Sequence, residues 1–136
     1  MIVAAPPQAC FDALLDYERM PDWQSAVKSC EVIERDSRGR GLEVEWEIDA
    51  RLRAVSYRLA YSYEEPHWIG CRFVEGDVKN VEGEYTLEDR GDGTTLATLM
   101  LDIDPGTWVP GKLRKLLSDQ VMKGSLQDLK RHVEEG

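Results

Sequence analysis

Apolar and polar residues alternate along the middle of the chain. Leu42, Val44, Trp46 and Ile48 take turns with Glu43, Glu45, Glu47 and Asp49. Val55, Tyr57, Leu59, Tyr61 and Tyr63 alternate with Ala54, Ser56, Arg58, Ala60 and Ser62. The same rhythm carries Ile69, Cys71 and Phe73, then Val81, Gly83, Tyr85 and Leu87, then Ala97, Leu99, Leu101 and Ile103. A period of two puts one set of side chains on a packed face and the other in water, which predicts an antiparallel sheet. Gly- and Pro-containing breaks at residues 37–41, 65–66, 75–77 and 90–93 read as tight connections. The pattern from Val27 to Ile103 is therefore a meander of about six strands.

Both ends read differently. Ile2, Val3, Ala4 and Ala5 form a short apolar strand that stops at Pro6-Pro7. Ala9, Cys10, Ala13, Leu14 and Tyr17 then recur at helical spacing, so a helix is predicted over about residues 7–16. Met20-Pro21-Asp22-Trp23 opens a second short helix or turn. Pro110 precedes a helical pattern that runs from about Gly111 to Glu134. In that helix Leu113, Leu116 and Leu117 share one face, and Met122, Leu126, Leu129 and Val133 share another. Two faces imply two different coverings, with the first half beside a cavity mouth near Trp108 and Val109. Gly124 is expected where the helix bends or a neighbour comes close.

Composition narrows the partners. In 136 residues, 17 Lys and Arg face 26 Asp and Glu, a net charge of −9. That balance argues against binding nucleic acid phosphates. The length predicts a single domain over 1–136, and no apolar run approaches the roughly 18 residues of a membrane span. The first basic residue is Arg19, so a charged leader is not expected and a cytoplasmic location is. Cys10, Cys30 and Cys71 are widely spaced, and His67 and His132 have no ligand-type neighbours. No metal site and no cofactor are predicted, and the cysteines read as small buried side chains.

Ala5-Pro6-Pro7 leading into Cys10-Phe11, then Met20-Pro21-Asp22-Trp23-Gln24, resembles the opening of START-like polyketide cyclase/dehydrase proteins. Glu34-Arg35-Asp36, Tyr57-Arg58-Leu59, Val74-Glu75-Gly76-Asp77, Gly83-Glu84-Tyr85-Thr86-Leu87 and Gly93-Thr94-Thr95 are similar to that family in the same order. The resemblance implies an α+β helix-grip (START-like) fold. In it, a curved antiparallel sheet of about seven strands wraps a long C-terminal helix, with two short helices after the first strand. Against that pattern the first strand here is expected to be short. The resemblance also implies a cavity between sheet and helix for an apolar small molecule: a polyketide, an isoprenoid quinone or a lipid-like chain. Trp46, Tyr57, Tyr61, Cys71, Phe73, Tyr85, Leu99 and Leu117 are the candidate ligand-binding residues. Tyrosine and tryptophan give contact area plus a polar tip that orients a ligand.

The resemblance implies cyclase chemistry as well, namely aldol closure and dehydration of a poly-β-ketone. That reaction needs a base or ordered water and donors to an enolate oxygen. Tyr57, Tyr61 and Tyr85 are candidate donors, but no His, Asp or Glu falls on the inward parity. Glu43, Glu45, Glu47, Asp49, Glu82, Glu84 and Glu88 belong on the wet face, with Arg51, Arg53 and Arg58 as cross-strand partners. Carriage of an apolar ligand is thus the leading reading, cyclisation the second, and a homodimer an open alternative for the first leucines of the C-terminal helix. Trp68 is expected on the outer parity, and Trp23 between the short helices and the sheet.

Overall fold

A computed structural model of the chain describes residues 1–49, 54–107 and 110–135. The order is β1 (Ile2–Val3), α1 (Pro7–Leu15), a 3-10 turn (Tyr17–Arg19), α2 (Met20–Trp23), β2 (Val27–Arg35), β3 (Gly41–Asp49), β4 (Ala54–Glu64), β5 (Trp68–Gly76), β6 (Asn80–Asp89), β7 (Thr95–Asp104) and α3 (Gly111–Glu135). The strands form one antiparallel sheet in the order β1-β7-β6-β5-β4-β3-β2. The helix-grip architecture expected from the sequence is the one observed.

Local chemistry sets the boundaries. Pro7 occupies the first turn of α1, where a missing N–H costs nothing, and Pro6 before it is extended. The helix buries Pro7, Cys10, Phe11 and Leu14 and leaves Gln8 and Asp12 outside. Asp36 shapes the β2–β3 connection: its carboxylate accepts from the backbone N–H groups of Arg38 (2.8 Å) and Arg40 (2.9 Å), and from Arg40 Nε (2.8 Å). β2 is an edge strand, and its register with β3 shifts between Val27 and Ser29 and again between Val32 and Arg35. Such irregularities discourage pairing with another chain. On the outer face Arg58 bridges Glu45 (3.0 Å) and Glu75 (3.7 Å), as the alternation predicted. The other two expected partners, Arg51 and Arg53, lie outside the described residues.

β1 is only two residues long, so most of the β7 edge has no strand beside it. Met1 exchanges two hydrogen bonds with Ala97, both 2.8 Å, and pairing ends there. Side chains of α3 take over the next exposed N–H groups. Leu101 N–H donates to Met122 Sδ at 3.2 Å, and Ile103 N–H donates to Ser118 Oγ at 3.1 Å.

The helix itself corrects the sequence reading. Leu117, Val121, Leu126, Leu129 and Val133 all pack on the core, with Leu129 fully buried. Together with Ser118 and Ser125 these residues make one broad face of the helix. Leu113 and Leu116 do not form a second covered face; they are 43% and 51% exposed. Trp23 is also placed differently, stacking on His132 of α3 with ring centroids 4.5 Å apart. Trp108 and Val109, the expected neighbours of the first leucines, lie outside the described residues.

Gly124 shows no close approach, because a Cβ there would meet nothing within 4 Å. Gly83 is the opposite: a Cβ would fall 2.8 Å from the Met100 carbonyl oxygen and 3.0 Å from Leu101 Cδ1. Gly124→Ala should therefore raise stability by about 0.5–1 kcal/mol, because the helix gains propensity without a clash. Gly83→Ala should lower it. Urea unfolding of the two variants side by side checks both signs.

Candidate functional site

The sheet is hollow at its centre for a local reason. Across β4, β5, β6 and β7 one row runs Tyr61, Cys71, Gly83, Leu101. The two middle members are a cysteine and a glycine, both small side chains. Under α3 they leave a cavity of about 130 Å³. An apolar cavity on the order of 150 Å³ is enough for benzene. Its walls come from the sheet, from α1 and the turn after it, and from Val121 and Ser125 of α3.

Of the predicted ligand residues, Trp46, Tyr57, Tyr61, Cys71, Tyr85 and Leu99 line this cavity. Phe73 and Leu117 do not. Phe73 packs partly buried opposite Leu59, beyond the point where β5 stops pairing with β6. Leu117 borders a separate void of about 20 Å³ with Val55, Val78 and Pro105, walled from the cavity by Ile48, Tyr57, Ile103 and Val121. Sequence reasoning missed Tyr17, Gln24 and Ser125, which reach the cavity from the 3-10 turn, from the residue just after α2 and from α3. Tyr17 followed α1 at helical spacing and was visible as core, but nothing local tied it to the sheet.

The polar groups of the site fall into two sets. One is locked. Tyr63 donates its hydroxyl proton to the Gly41 carbonyl, and its oxygen is 2.7 Å from the Tyr17 hydroxyl. Tyr63 has one proton, so Tyr17 must be the donor between them. Arg40 covers the outer end of this chain, 5.0 Å above the Tyr63 ring. Rings of Tyr17, Trp46 and Tyr61 meet edge-on or tilted, at 5.9 Å and 5.0 Å from Tyr17. Gln24 is buried and donates to the Ser125 carbonyl at 3.4 Å.

The second set is uncommitted. Among the described residues, the hydroxyls of Tyr57 and Tyr61 make no hydrogen bond within the protein. The Trp46 indole N–H is buried without a partner. Tyr85 stands beside Ser125. Burial pushes the phenols of Tyr17, Tyr57, Tyr61 and Tyr85 well above their ordinary range, and that of Tyr63 up to about 12. Burial likewise raises the Cys71 and Cys30 thiols to about 12. These thiols are not nucleophiles at neutral pH.

No lysine, arginine or histidine lines the cavity among the described residues. The one carboxylate-bearing residue at its border, Glu84, turns its carboxylate to the opposite face, where it accepts from Trp68 Nε1 at 2.8 Å. Trp68 thus sits on the outer face, as its parity predicted. A broader hollow of about 480 Å³ lies on that face between Trp68, Arg72, Glu82, Met100 and Asp102. It is open to solvent and charged along its walls. No group of three or more His, Cys, Asp or Glu side chains is arranged to hold a metal among the described residues. No described helix is long and apolar enough to cross a membrane.

A curved sheet gripping a long helix over an aromatic cavity defines a START-like, ligand-binding class of fold. Residues 3–130 match the sequence model of the family described as polyketide cyclase / dehydrase and lipid transport, and the chain belongs to that family. A START superfamily protein from Mycobacterium smegmatis superposes with a TM-score of 0.91 at 23% identity, covering 99% of this chain and 94% of that one. The Zhui aromatase/cyclase from a Streptomyces species gives a TM-score of 0.84 at 16% identity, covering 98% and 90%. A protein of Thermus thermophilus gives 0.83 at 23% identity, covering 99% and 94%. At these identities the likeness concerns the fold. A search of curated proteins gave no match.

Buried tyrosines make the stability pH-dependent in one direction. Their folded-state pKa values are raised above the unfolded value of about 10, so above that pH the unfolded chain releases protons that the folded chain retains. Stability should hold up to pH about 10 and fall as pH rises further. Phenolate absorbance should appear together with loss of tertiary structure, rather than before it. Full ionisation of every tyrosine in a still-folded protein would contradict the burial.

Proposed function

We propose that the protein binds and carries an uncharged, largely apolar small molecule in the cavity between sheet and α3. The observation that supports this most directly is the hollow beside Cys71 and Gly83, lined by aromatic side chains among which the Trp46 N–H is buried without a partner. A core evolved only to be stable fills such a space and pairs such groups. Trp46, Tyr57, Tyr61, Cys71, Tyr85 and Leu99 are the proposed contacts. Phe73 and Leu117 act from behind, shaping the wall.

Filling the space tests the reading. Cys71→Leu adds apolar volume between Tyr61 and Gly83 and should keep the fold, with an unchanged or raised melting temperature. Saturable binding of an environment-sensitive apolar dye should weaken at least about tenfold, since lost cavity volume removes ligand contacts outright. Unchanged dye affinity in a folded variant would remove the cavity from consideration. Native mass spectrometry of protein purified from its source then identifies the occupant.

A second reading, cyclisation and dehydration of a polyketide, draws on the family description and on the aromatase/cyclase among the structural relatives. Against it stands the absence, among the described residues, of an acid–base pair on the cavity wall. Tyr57→Phe and Tyr61→Phe separate the two. In a carrier each costs no more than the roughly 0.5–1.5 kcal/mol of one neutral hydrogen bond. In an enzyme that uses the hydroxyl at an enolate oxygen, turnover falls by about two orders of magnitude while binding persists.

A further inference from the structure

Two spaces lie end to end under α3. The cavity of about 130 Å³ stops at Ile48, Tyr57, Ile103 and Val121, and the void of about 20 Å³ begins behind the same four residues and extends toward Pro105 and Leu117. The four side chains come from β3, β4, β7 and α3, so together they make a collar drawn from both layers of the fold. Tyr57 is the largest of them and only 7% exposed.

Tyr57 is also the member of the collar with the most firmly held backbone. It lies opposite Trp46 of β3 and Gly76 of β5. A Cβ on Gly76 would fall 2.5 Å from Tyr57 Cα and 2.6 Å from Tyr57 Cβ, so β5 presses against this residue from the side. The preceding residue is clamped as well. Ser56 N–H donates to Asp77 Oδ2 at 2.9 Å, and the Ser56 carbonyl accepts from Asp77 N–H at 2.8 Å. A wall fixed in this way does not yield cheaply to a ligand that is too long.

The two volumes say how large a ligand the wall admits. An apolar cavity on the order of 150 Å³ holds benzene, whereas pockets for drug-sized ligands begin near about 300 Å³. The smaller void has room for about one water molecule and takes no ligand alone.

Resting on the cavity-binding reading above, we infer that Tyr57 is the residue that sets ligand size: its ring closes the collar and limits the buried part of the occupant to about one six-membered ring with a short substituent. Longer chains and fused rings are turned away because the space they need lies behind that ring. Removing the ring joins the two spaces, and selectivity then moves toward longer ligands with no new polar contact.

Toluene and n-butylbenzene, which differ by three methylenes, test this on the intact protein. Where there is room, each buried methylene raises affinity about fourfold, so three give about 60-fold. Chemical-shift titrations of isotope-labelled protein at neutral pH supply both affinities. In the unmodified protein n-butylbenzene should bind no more than about threefold tighter than toluene, because the added chain finds no space. In Tyr57→Val, which keeps a strand-forming residue, that preference should rise at least about tenfold. Resonances of Val78 and Leu117, silent toward both probes before the substitution, should then respond to n-butylbenzene. Thermal unfolding checks that the variant is folded. Val121→Ala removes two methyl groups from the α3 side of the collar without loss of helix propensity, and it carries the test where Tyr57→Val does not fold. There the preference should rise about two- to fourfold.

A preference for n-butylbenzene above about tenfold in the unmodified protein would overturn the inference and leave the cavity reading standing. So would a preference that the folded variants leave unchanged. Saturable shifts from neither probe would overturn the cavity reading and this inference with it.

Discussion

Everything distinctive in this molecule follows from how α3 is seated. The helix is tied to the rest of the chain by polar contacts spread along its length, so apolar packing need not be continuous beneath it. Near its start, Arg114 reaches Asp102 at 2.9 Å and Asp104 at 3.5 Å. Ser118 and Met122 then receive backbone N–H groups from β7. Further on, the buried Asp128 accepts from Ser25 N at 2.9 Å and Ser25 Oγ at 2.7 Å, and from Arg131 at 2.6 Å. At its end Glu134 accepts from Ala4 N and Lys130 donates to the Ile2 carbonyl. Hydrogen bonds to charged groups contribute roughly 1.5–3 kcal/mol each when well formed.

That seating resolves two problems together. A two-residue β1 leaves the β7 edge with unpaired N–H groups, which an exposed sheet would offer to any passing strand. Ser118 and Met122 close the edge from above. The same contacts hold the helix over β7 while Cys71 and Gly83 fail to fill the space further in. A larger side chain at Cys71 would take up part of that space, whereas at Gly83 even a Cβ meets the Met100 carbonyl and Leu101.

The strands, their faces and the long helix were legible in the sequence because each rests on a local period that burial enforces. Glu43, Glu45 and Glu47 had to face water once Val44, Trp46 and Ile48 faced inward, and Trp68 followed by parity. Phe73 escaped this logic because parity says which face a residue takes, not where its strand stops pairing. β5 leaves β6 after Arg72, and a register shift between Arg58 and Leu59 moves its end toward β4 alone. The two faces assigned to α3 had a different fault. Leucine identity was read as burial, but Leu113 and Leu116 belong to the exposed side, and the serines at 118 and 125 do part of the packing. Tyr17, Gln24 and Ser125 were beyond reach for a tertiary reason: only the docking of separate helices over the sheet brings them to one cavity.

The unpaired groups finally bear on why the cavity is retained. A buried donor left unsatisfied costs about 1–3 kcal/mol, a large share of what holds a domain this size together. Replacing Trp46 by phenylalanine or leucine would relieve that penalty without changing the strand pattern, since these residues suit a half-buried sheet. The sequence instead keeps three hydrogen-bonding aromatics around a hollow and spends Tyr17 and Tyr63 on bracing it. Stability alone favours the simpler core, and the departure from it is what the proposed binding function would account for.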